Sequence, residues 1–347
     1  MTLPIPVSYS PMEALLVDEI PTGREWQYEP KWDGFRCLAF RDGDEIALQS
    51  KSGQPLARYF PELVEVLHEL EPERFVVDGE IVIPVGKALS FDDLLMRIHP
   101  AESRIRLLAK ETPALFIVFD LLVDENGRSL VKEPLEKRRP ALKKFARRFF
   151  PKDGRLRLSP MTTDSSAARK WLSGGGTAVD GIVAKRRDVT YESGSGQRTA
   201  MQKVKLKRTA DCVVGGFRYG SKTKVVGSLL LGLYDGKGLL HHVGFTSSIK
   251  AKDREKVTRE LEALRKPPGF TGRAPGGPSR WSTERTGEWE PLEPTLVVEV
   301  EYDHFTGGRF RHGTRLLRYR LDKAPRQCTL DQVAKKSRAS PLKLLEA

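Results

Sequence analysis

From Asp211 onward the chain changes texture, and that change limits its possible folds more than any single residue does. Residues 211–217, 228–234, 239–245, 295–302 and 315–320 form apolar or alternating runs, each the length of a β-strand. A single helical pattern interrupts them, over 252–266, with Val257, Leu261 and Leu264 on one face. Residues 267–294 are rich in Pro and Gly and read as a long loop. Five strands and one inserted helix predict a small β-barrel.

The preceding two hundred residues are mixed. Strands are expected over 35–40 and 45–49, joined by Asp42-Gly43-Asp44, a hairpin signal, and over 74–83, 114–122, 181–185 and 200–206. Residues 62–70 place Leu63, Val66, Leu67 and Leu70 on one helical face. Residues 91–98 follow Ser90, a suitable N-cap. A basic helix runs over 135–149, kinked or begun at Pro140, and a short one over 167–172 stops at Gly174-Gly175-Gly176. The expected fold class is therefore α+β: antiparallel sheets with helices, followed by a β-barrel of the oligonucleotide-binding (OB) type. The break is expected near Lys207-Arg208-Thr209, giving domains 1–207 and 208–347.

Lys plus Arg exceed Asp plus Glu by 59 − 46 = 13. A basic excess of this size favours a polyanionic partner, most often nucleic acid. Cys37, Cys212 and Cys328 are scattered, with no Cys-x-x-Cys spacing for zinc and no disulfide framework, which fits reduced thiols in a cytoplasmic protein. Met1-Thr2-Leu3-Pro4-Ile5-Pro6 has no basic start followed by an apolar core, so no secretory signal is expected. No apolar run approaches the roughly 20 residues of a membrane span.

The chemistry concentrates in Tyr28-Glu29-Pro30-Lys31-Trp32-Asp33-Gly34-Phe35-Arg36. A lysine attacks as a nucleophile only after losing a proton, which desolvation or neighbouring cations promote. Arg36 can hold a phosphate, and Gly34 permits a turn whose amides approach an anion. Alone, the run describes a charged surface strand end equally well. Asp78-Gly79-Glu80 sets two carboxylates in an apolar strand, where burial is costly unless a base or metal is near. Asp180-Gly181-Ile182-Val183-Ala184-Lys185 repeats that design. Lys203 and Lys205 share a strand face, an arrangement favoured by an anion between them, although such pairs are commonly surface lysines. Phe119 closes an apolar strand, where an aromatic serves as core or as a platform for a base.

In this order the runs resemble the motifs of the covalent nucleotidyltransferases: ATP-dependent DNA ligases, RNA ligases and mRNA capping enzymes. Lys31 to Arg36 resembles the first motif, Ser50-Lys51-Ser52-Gly53 the next, Asp78-Gly79-Glu80 the third and 116–122 the fourth. Asp180 to Lys185 and Lys203 to Lys205 follow, and Arg320-Leu321-Asp322-Lys323 resembles the last. The resemblance spans nearly the whole chain. With Phe310-Arg311-His312-Gly313-Thr314-Arg315, it is most similar to the bacterial ligase C group of ATP-dependent DNA ligases.

The resemblance implies an adenylation domain followed by an OB domain, ATP with Mg2+ or Mn2+ as cofactors, and nicked duplex DNA as substrate. Lys31 would become a lysyl-AMP. Glu29 would contact the adenine and Phe119 would stack on it. Arg36 and Lys51 would hold the ribose and later the DNA 5′-phosphate, and Glu80 and Asp180 the metal. Arg198, Lys203 and Lys205 would grip phosphates, and Arg320, Asp322 and Lys323 would orient pyrophosphate. It further implies a monomer in the bacterial cytosol, in DNA repair beside partners such as a primase-polymerase. Three positions depart from the pattern: Lys51 where an arginine is common, Asp180 where glutamate is, and Met201 where an aromatic is. Thirty residues precede Lys31, too few for the separate DNA-binding domain of larger ligases. DNA contact is then expected from Arg309 and Arg311, or from the basic helix Lys137 to Arg148, which reads equally as a solvated face. An RNA ligase or capping guanylyltransferase shares the lysine motif. A non-catalytic oligonucleotide-binding protein would leave the ordered motifs without a role.

Overall fold

In a computed structural model, residues 1–152, 154–173, 179–194, 198–221, 223–276, 288–334 and 340–345 are described. The chain divides into two compact units, Met1–Leu206 with Lys336–Ala347, and Lys207–Lys335. The tail was expected to stay with the barrel. Instead Leu344 and Leu345 pack in the first unit against Trp32, Val82, Ile117 and Val179.

Two large sheets build most of the first unit, beside a two-stranded one, Pro84–Val85 with Ala88–Leu89. The larger runs in the order Glu45–Ser50, Phe35–Asp42, Arg74–Val82, Leu115–Val123, Leu156–Leu158, antiparallel except for the last pair. Its core gathers Phe60, then Leu63 and Leu67 of the helix Pro61–His68 that Phe60 precedes, and Leu142 and Phe145 of the helix Leu135–Phe149. Pro140 lies inside the latter helix without ending it. The basic face expected there is partly internal. Arg138 and Arg139 are buried; Arg138 pairs with Asp120 at 2.9 Å, and Arg139 donates to the Ser159 carbonyl. Helix Glu102–Glu111 was not anticipated, because only Ile105, Leu108 and Ala109 form its buried stripe.

The smaller of the two large sheets runs Leu15–Leu16, Met201–Lys205, Gly181–Arg186, Trp26–Lys31. One face is apolar: Trp26, Tyr28, Ile182, Ala184 and Val204 pack with Ala168 of the helix Ser165–Ser173. Because successive strand residues alternate in direction, Glu29 and Lys31 must point the other way. The register aligns Lys31 with Gly181 and Gly181 with Lys205, and aligns Glu29 with Val183 and Val183 with Lys203. Both expected lysines thus share the polar face with Lys31 and Glu29.

Two glycines hold this geometry. A Cβ on Gly34 would lie 2.1 Å from the Ile81 carbonyl oxygen, so the residue is glycine to let two strands approach. That differs from the turn around an anion expected from the sequence. Gly181 has φ +151°, and a Cβ there would lie 2.0 Å from the Val204 carbonyl oxygen.

The second unit is a barrel-like sheet in the order Leu240–Thr246, Val226–Tyr234, Arg208–Tyr219, Val297–Tyr302, Arg315–Tyr319. A parallel bridge between Thr246 and Thr314 joins its two ends. Helix Arg254–Ala263 buries Val257 and Leu261 against it, within a core containing Phe217, Leu231 and Val298. A two-stranded hairpin, Phe305–Thr306 with Arg309–Phe310, was not foreseen. Among the described residues, no helix is long and apolar enough to cross a membrane.

Gly181→Ala should destabilise the protein by more than about 2 kcal/mol, because the Val204 backbone cannot withdraw without breaking the strand pair. Urea unfolding measures this; a loss below about 0.5 kcal/mol would show that the sheet yields there.

Candidate active site

Lys31 ends its strand at the mouth of a cavity of about 170 Å³. Glu29, Arg36, Lys51, Glu80, Phe119 and Lys203 line the same cavity, so residues from five separate sequence runs converge. Trp32, next in the chain, is buried and donates from Nε1 to Ser159 Oγ at 3.0 Å, which fixes the strand end. The Lys31 ammonium donates to Asp180 Oδ2. The Asp180 amide in turn donates to the Lys31 carbonyl at 2.8 Å, so backbone and side chain both join the two residues. Burial draws the Lys31 pKa down, but Asp180, then Glu80 and Asp33, outweigh it and leave it above the ordinary value. The lysine is therefore held here as a cation.

Arg36 was expected to hold ribose and phosphate, with no partner in the protein assigned to it. Its guanidinium forks onto Asp78, which is fully buried, with both contacts at 2.6 Å. Tyr191 donates from its hydroxyl to Asp78 Oδ2 at 2.6 Å. Burial, then Asp78, holds the Tyr191 pKa well above its ordinary value, so the hydroxyl keeps its proton as a donor. Asp78 thus orients Arg36, and Glu80, two residues on, is the carboxylate of that motif that lines the cavity. Burial pushes the Glu80 carboxyl up to about 7, against the pull of Arg36 and Lys31.

Phe119 reaches the cavity through a strand irregularity. Asp78 pairs with Asp120 and the following Gly79 pairs with Val118, which leaves Phe119 as the extra residue of a bulge. A bulge re-aims a side chain that regular alternation would send elsewhere. Arg36 and Lys185 each lie 4.4 Å from the Phe119 ring centroid, within cation–π range. Lys185 also pairs with buried Glu29 at 2.8 Å, and Gln27 donates to the other Glu29 oxygen at 2.9 Å. Asp78 and Lys185 lay in runs marked from the sequence but were given no role of their own, and Tyr191 was not marked at all. Alternation along residues 181–185 puts Lys185 on the Gly181 face and was the available signal for it.

The cations are crowded. Burial, then Lys31, Lys51 and Lys205, draws the Lys203 pKa down. Lys51 sits 3.2 Å from Glu13 and is half exposed. Lys205 shares the sheet face but does not line the cavity. Arg198 opens the turn Arg198–Ala200, and its side chain lies outside the described residues. Met201, also against the cavity, pairs with Lys185 across the sheet.

In the second unit, Asp211 gathers the expected cations. Arg320 reaches it at 2.9 Å and 3.1 Å, and Lys323 at 2.7 Å. Asp322 closes the cluster, accepting from Arg320 at 2.9 Å and 2.8 Å. Arg309 and Arg311 flank Phe310 at the end of the unforeseen hairpin.

Two family models match the chain. The ATP dependent DNA ligase domain covers residues 11–205, and the ATP dependent DNA ligase C terminal region covers residues 222–323. DNA ligase C1 of Mycolicibacterium smegmatis is 43% identical over 346 residues, covering 96% of each chain. DNA ligase C of Mycobacterium tuberculosis is 41% identical over 352 residues, again covering 96% of each. Among solved structures, Pmar-Lig_Pre. superposes with a TM-score of 0.62 at 18% identity, over 91% of this chain and 68% of its own. That likeness shows the fold alone.

Lys185→Met keeps a stem over Phe119 but strands the Glu29 carboxylate, which is only 2% exposed. Stability in urea should fall by about 3–5 kcal/mol, the usual result of removing one partner from a buried ion pair. Exposed Lys137→Met should stay within about 0.5 kcal/mol, and equal effects of the two would refute the assignment.

Proposed function

The chain belongs to the ATP-dependent DNA ligases, of the bacterial ligase C type, and from that membership we propose that it seals 5′-phosphate, 3′-hydroxyl nicks in duplex DNA during repair. The observation that carries the reading is the convergence on Lys31 of a carboxylate pair, an aromatic face and clustered cations in one cavity. In this reading the first unit, Met1–Leu206 with the C-terminal tail, forms the adenylation domain and Lys207–Lys335 the OB domain.

Lys31, whose side chain is about a fifth exposed, first loses its ammonium proton to solvent; Nζ then attacks the α-phosphorus of ATP, the bond from that phosphorus to the bridging oxygen breaks and pyrophosphate leaves. Lys31 then carries AMP as a phosphoramidate. The nick 5′-phosphate takes the AMP and frees the lysine. The 3′-hydroxyl next attacks the 5′-phosphorus, forming the phosphodiester and releasing AMP. Positioning and charge stabilisation dominate such transfers, and this site offers both.

Glu29, already anchored by Lys185 and Gln27, keeps acceptor capacity for adenine, since an ionised carboxylate offers about four lone-pair sites. Phe119 presents its ring to the base. Arg36, oriented by Asp78 and Tyr191, and Lys51 take the ribose and then the nick 5′-phosphate. Lys203 and Lys205, with Arg198, take phosphate charge, which relieves the repulsion that lowers Lys203. Arg320, Asp322 and Lys323 orient the leaving pyrophosphate, and Arg309 and Arg311 contact DNA.

Mg2+ or Mn2+ fits Glu80 and Asp180. Both offer hard carboxylate oxygens, and the Glu80 carboxyl is driven up to about 7 by burial that Arg36 and Lys31 offset only in part. Bound there, the ion would neutralise phosphate charge.

Intact mass after incubation with ATP and Mg2+ or Mn2+ should show one added AMP, absent in Lys31→Ala. No adduct on protein freed of bound AMP would refute the enzyme reading; an adduct without sealing of a nicked duplex would refute DNA as substrate. Arg320→Ala should slow adenylylation of Lys31 by about tenfold or more while sealing of a pre-adenylylated nick persists. Equal slowing of both steps would contradict the pyrophosphate role.

A further inference from the structure

Arg273 makes an unusual set of contacts in the second unit. It leaves the loop that follows Gly269, and among the described residues its guanidinium donates to backbone carbonyls alone. Nε and Nη2 lie 3.4 Å and 3.3 Å from the His242 oxygen, Nη1 lies 3.5 Å from the Gly307 oxygen, and Nη2 also donates to the Gly308 oxygen. One side chain thus joins strand Leu240–Thr246 to the tip of the hairpin Phe305–Thr306, Arg309–Phe310.

The base of this contact is firm. The His242 amide donates to the Arg273 carbonyl at 2.8 Å, and the Arg273 amide donates to His241 Nδ1 at 3.1 Å. His241 is fixed in turn by Asp235 at 2.9 Å. The hairpin tip is shaped to match. Gly307 and Gly308 have φ of +56° and +74°, the two-glycine turn that suits a two-residue hairpin. A Cβ on Gly308 would meet Arg273 Nη2 at 2.9 Å.

The residue immediately after this tip is Arg309, which pairs with Thr306 across the hairpin. A hairpin this short has little stability of its own. Its direction must come from what it is tied to. Phe310 supplies one tie, packing with its ring 4.8 Å from that of Tyr302. Arg273 supplies the other, at the tip. Burial, and then the Arg309 charge, draws the Arg273 pKa down, so the two cations are electrostatic neighbours.

We propose that Arg273 is a positioning residue for nucleic-acid contact: it holds the hairpin tip through backbone carbonyls so that Arg309 meets a backbone phosphate of the DNA. The inference rests on the ligase reading. Arg273 has its donors turned to protein carbonyls, so it acts through Arg309 and is not itself a phosphate ligand.

The test combines Arg273→Ala, Arg309→Ala, the double variant and Gly308→Ala, which crowds the guanidinium by a different route. Hydrogen exchange of amides 305–311 in the DNA-free protein should speed up in Arg273→Ala; unchanged exchange overturns the staple whether or not the protein binds DNA. Nick binding, read by anisotropy at several salt concentrations, should weaken by about fivefold to tenfold in Arg273→Ala and in Gly308→Ala. Lysine adenylylation should stay at the wild-type rate in both. The double variant should bind no worse than Arg309→Ala, with a salt slope reduced by about 0.9, the value of one phosphate contact. Additive losses and a slope reduced by two contacts would make Arg273 a phosphate ligand and overturn the proposal. Faster exchange with unchanged nick affinity would overturn it too. A wild type that binds and seals no nick refutes the ligase reading instead, and leaves the exchange result standing.

Discussion

The antiparallel pairing of Gly181–Arg186 between Trp26–Lys31 and Met201–Lys205 is the constraint on which the first unit depends. Strand side chains alternate with period two, so a slip of one residue would carry Lys31 and Glu29 into the apolar layer and expose Tyr28. The register is secured from both sides. Apolar packing on Ala168 fixes one face, and the near-contact of Gly181 with the Val204 backbone leaves no slack on the strand itself. Lys31, Glu29, Lys203 and Lys205 share a face for that reason, before any ligand contributes.

Charge in this site is compensated unevenly, and the unevenness indicates what it takes. Asp78 is satisfied by Arg36 and Tyr191, Asp120 by Arg138, and Glu29 by Lys185 and Gln27. These contacts are buried and directional, and they fix side chains. Around Lys203 the balance is reversed, with three lysines acting on a half-buried fourth and Glu13 the opposing charge. A phosphate chain supplies the missing negative charge. Glu80 presents the complementary deficit a short way across the cavity, a buried carboxyl short of positive charge. One cavity with both deficits suits a polyphosphate together with a cation.

Much of this was legible in the sequence, for a physical reason. Handling phosphate requires cations, carboxylates and close backbone approach at the ends of strands, so the chemistry is written in short contiguous strings such as Lys31 to Arg36 and Asp180 to Lys185. What was not legible depends on distant partners. Tyr191 lies 113 positions from Asp78, and nothing in either neighbourhood announces the other. Arg138 and Arg139 looked like a solvated basic face because a sequence does not distinguish an arginine in water from one paired with Asp120. Phe119 could be read as core or as platform. The bulge that decides between them is a property of strand pairing, invisible in one strand alone. Gly34 was read as permitting a turn around an anion, whereas the structure brings it against the Ile81 backbone; a close approach and a tight turn call for the same residue.

Asp211 extends the same logic to the second unit. It holds Arg320 and Lys323 together, two cations that would otherwise repel, and Asp322 secures Arg320 from the other side. An anion that recruits Arg320 must therefore compete with two carboxylates. The Asp322 arm of that grip is weak, because Asp322 is exposed and its ion pair is screened by water, and buried Asp211 keeps Lys323 if Arg320 leaves. Asp78 differs: it is wholly buried, and Arg36 cannot leave it without stranding a charge. The two arginines are thus tied with different strength. Arg36 is a fixed element of its cavity, whereas Arg320 is held in a geometry from which it can be drawn.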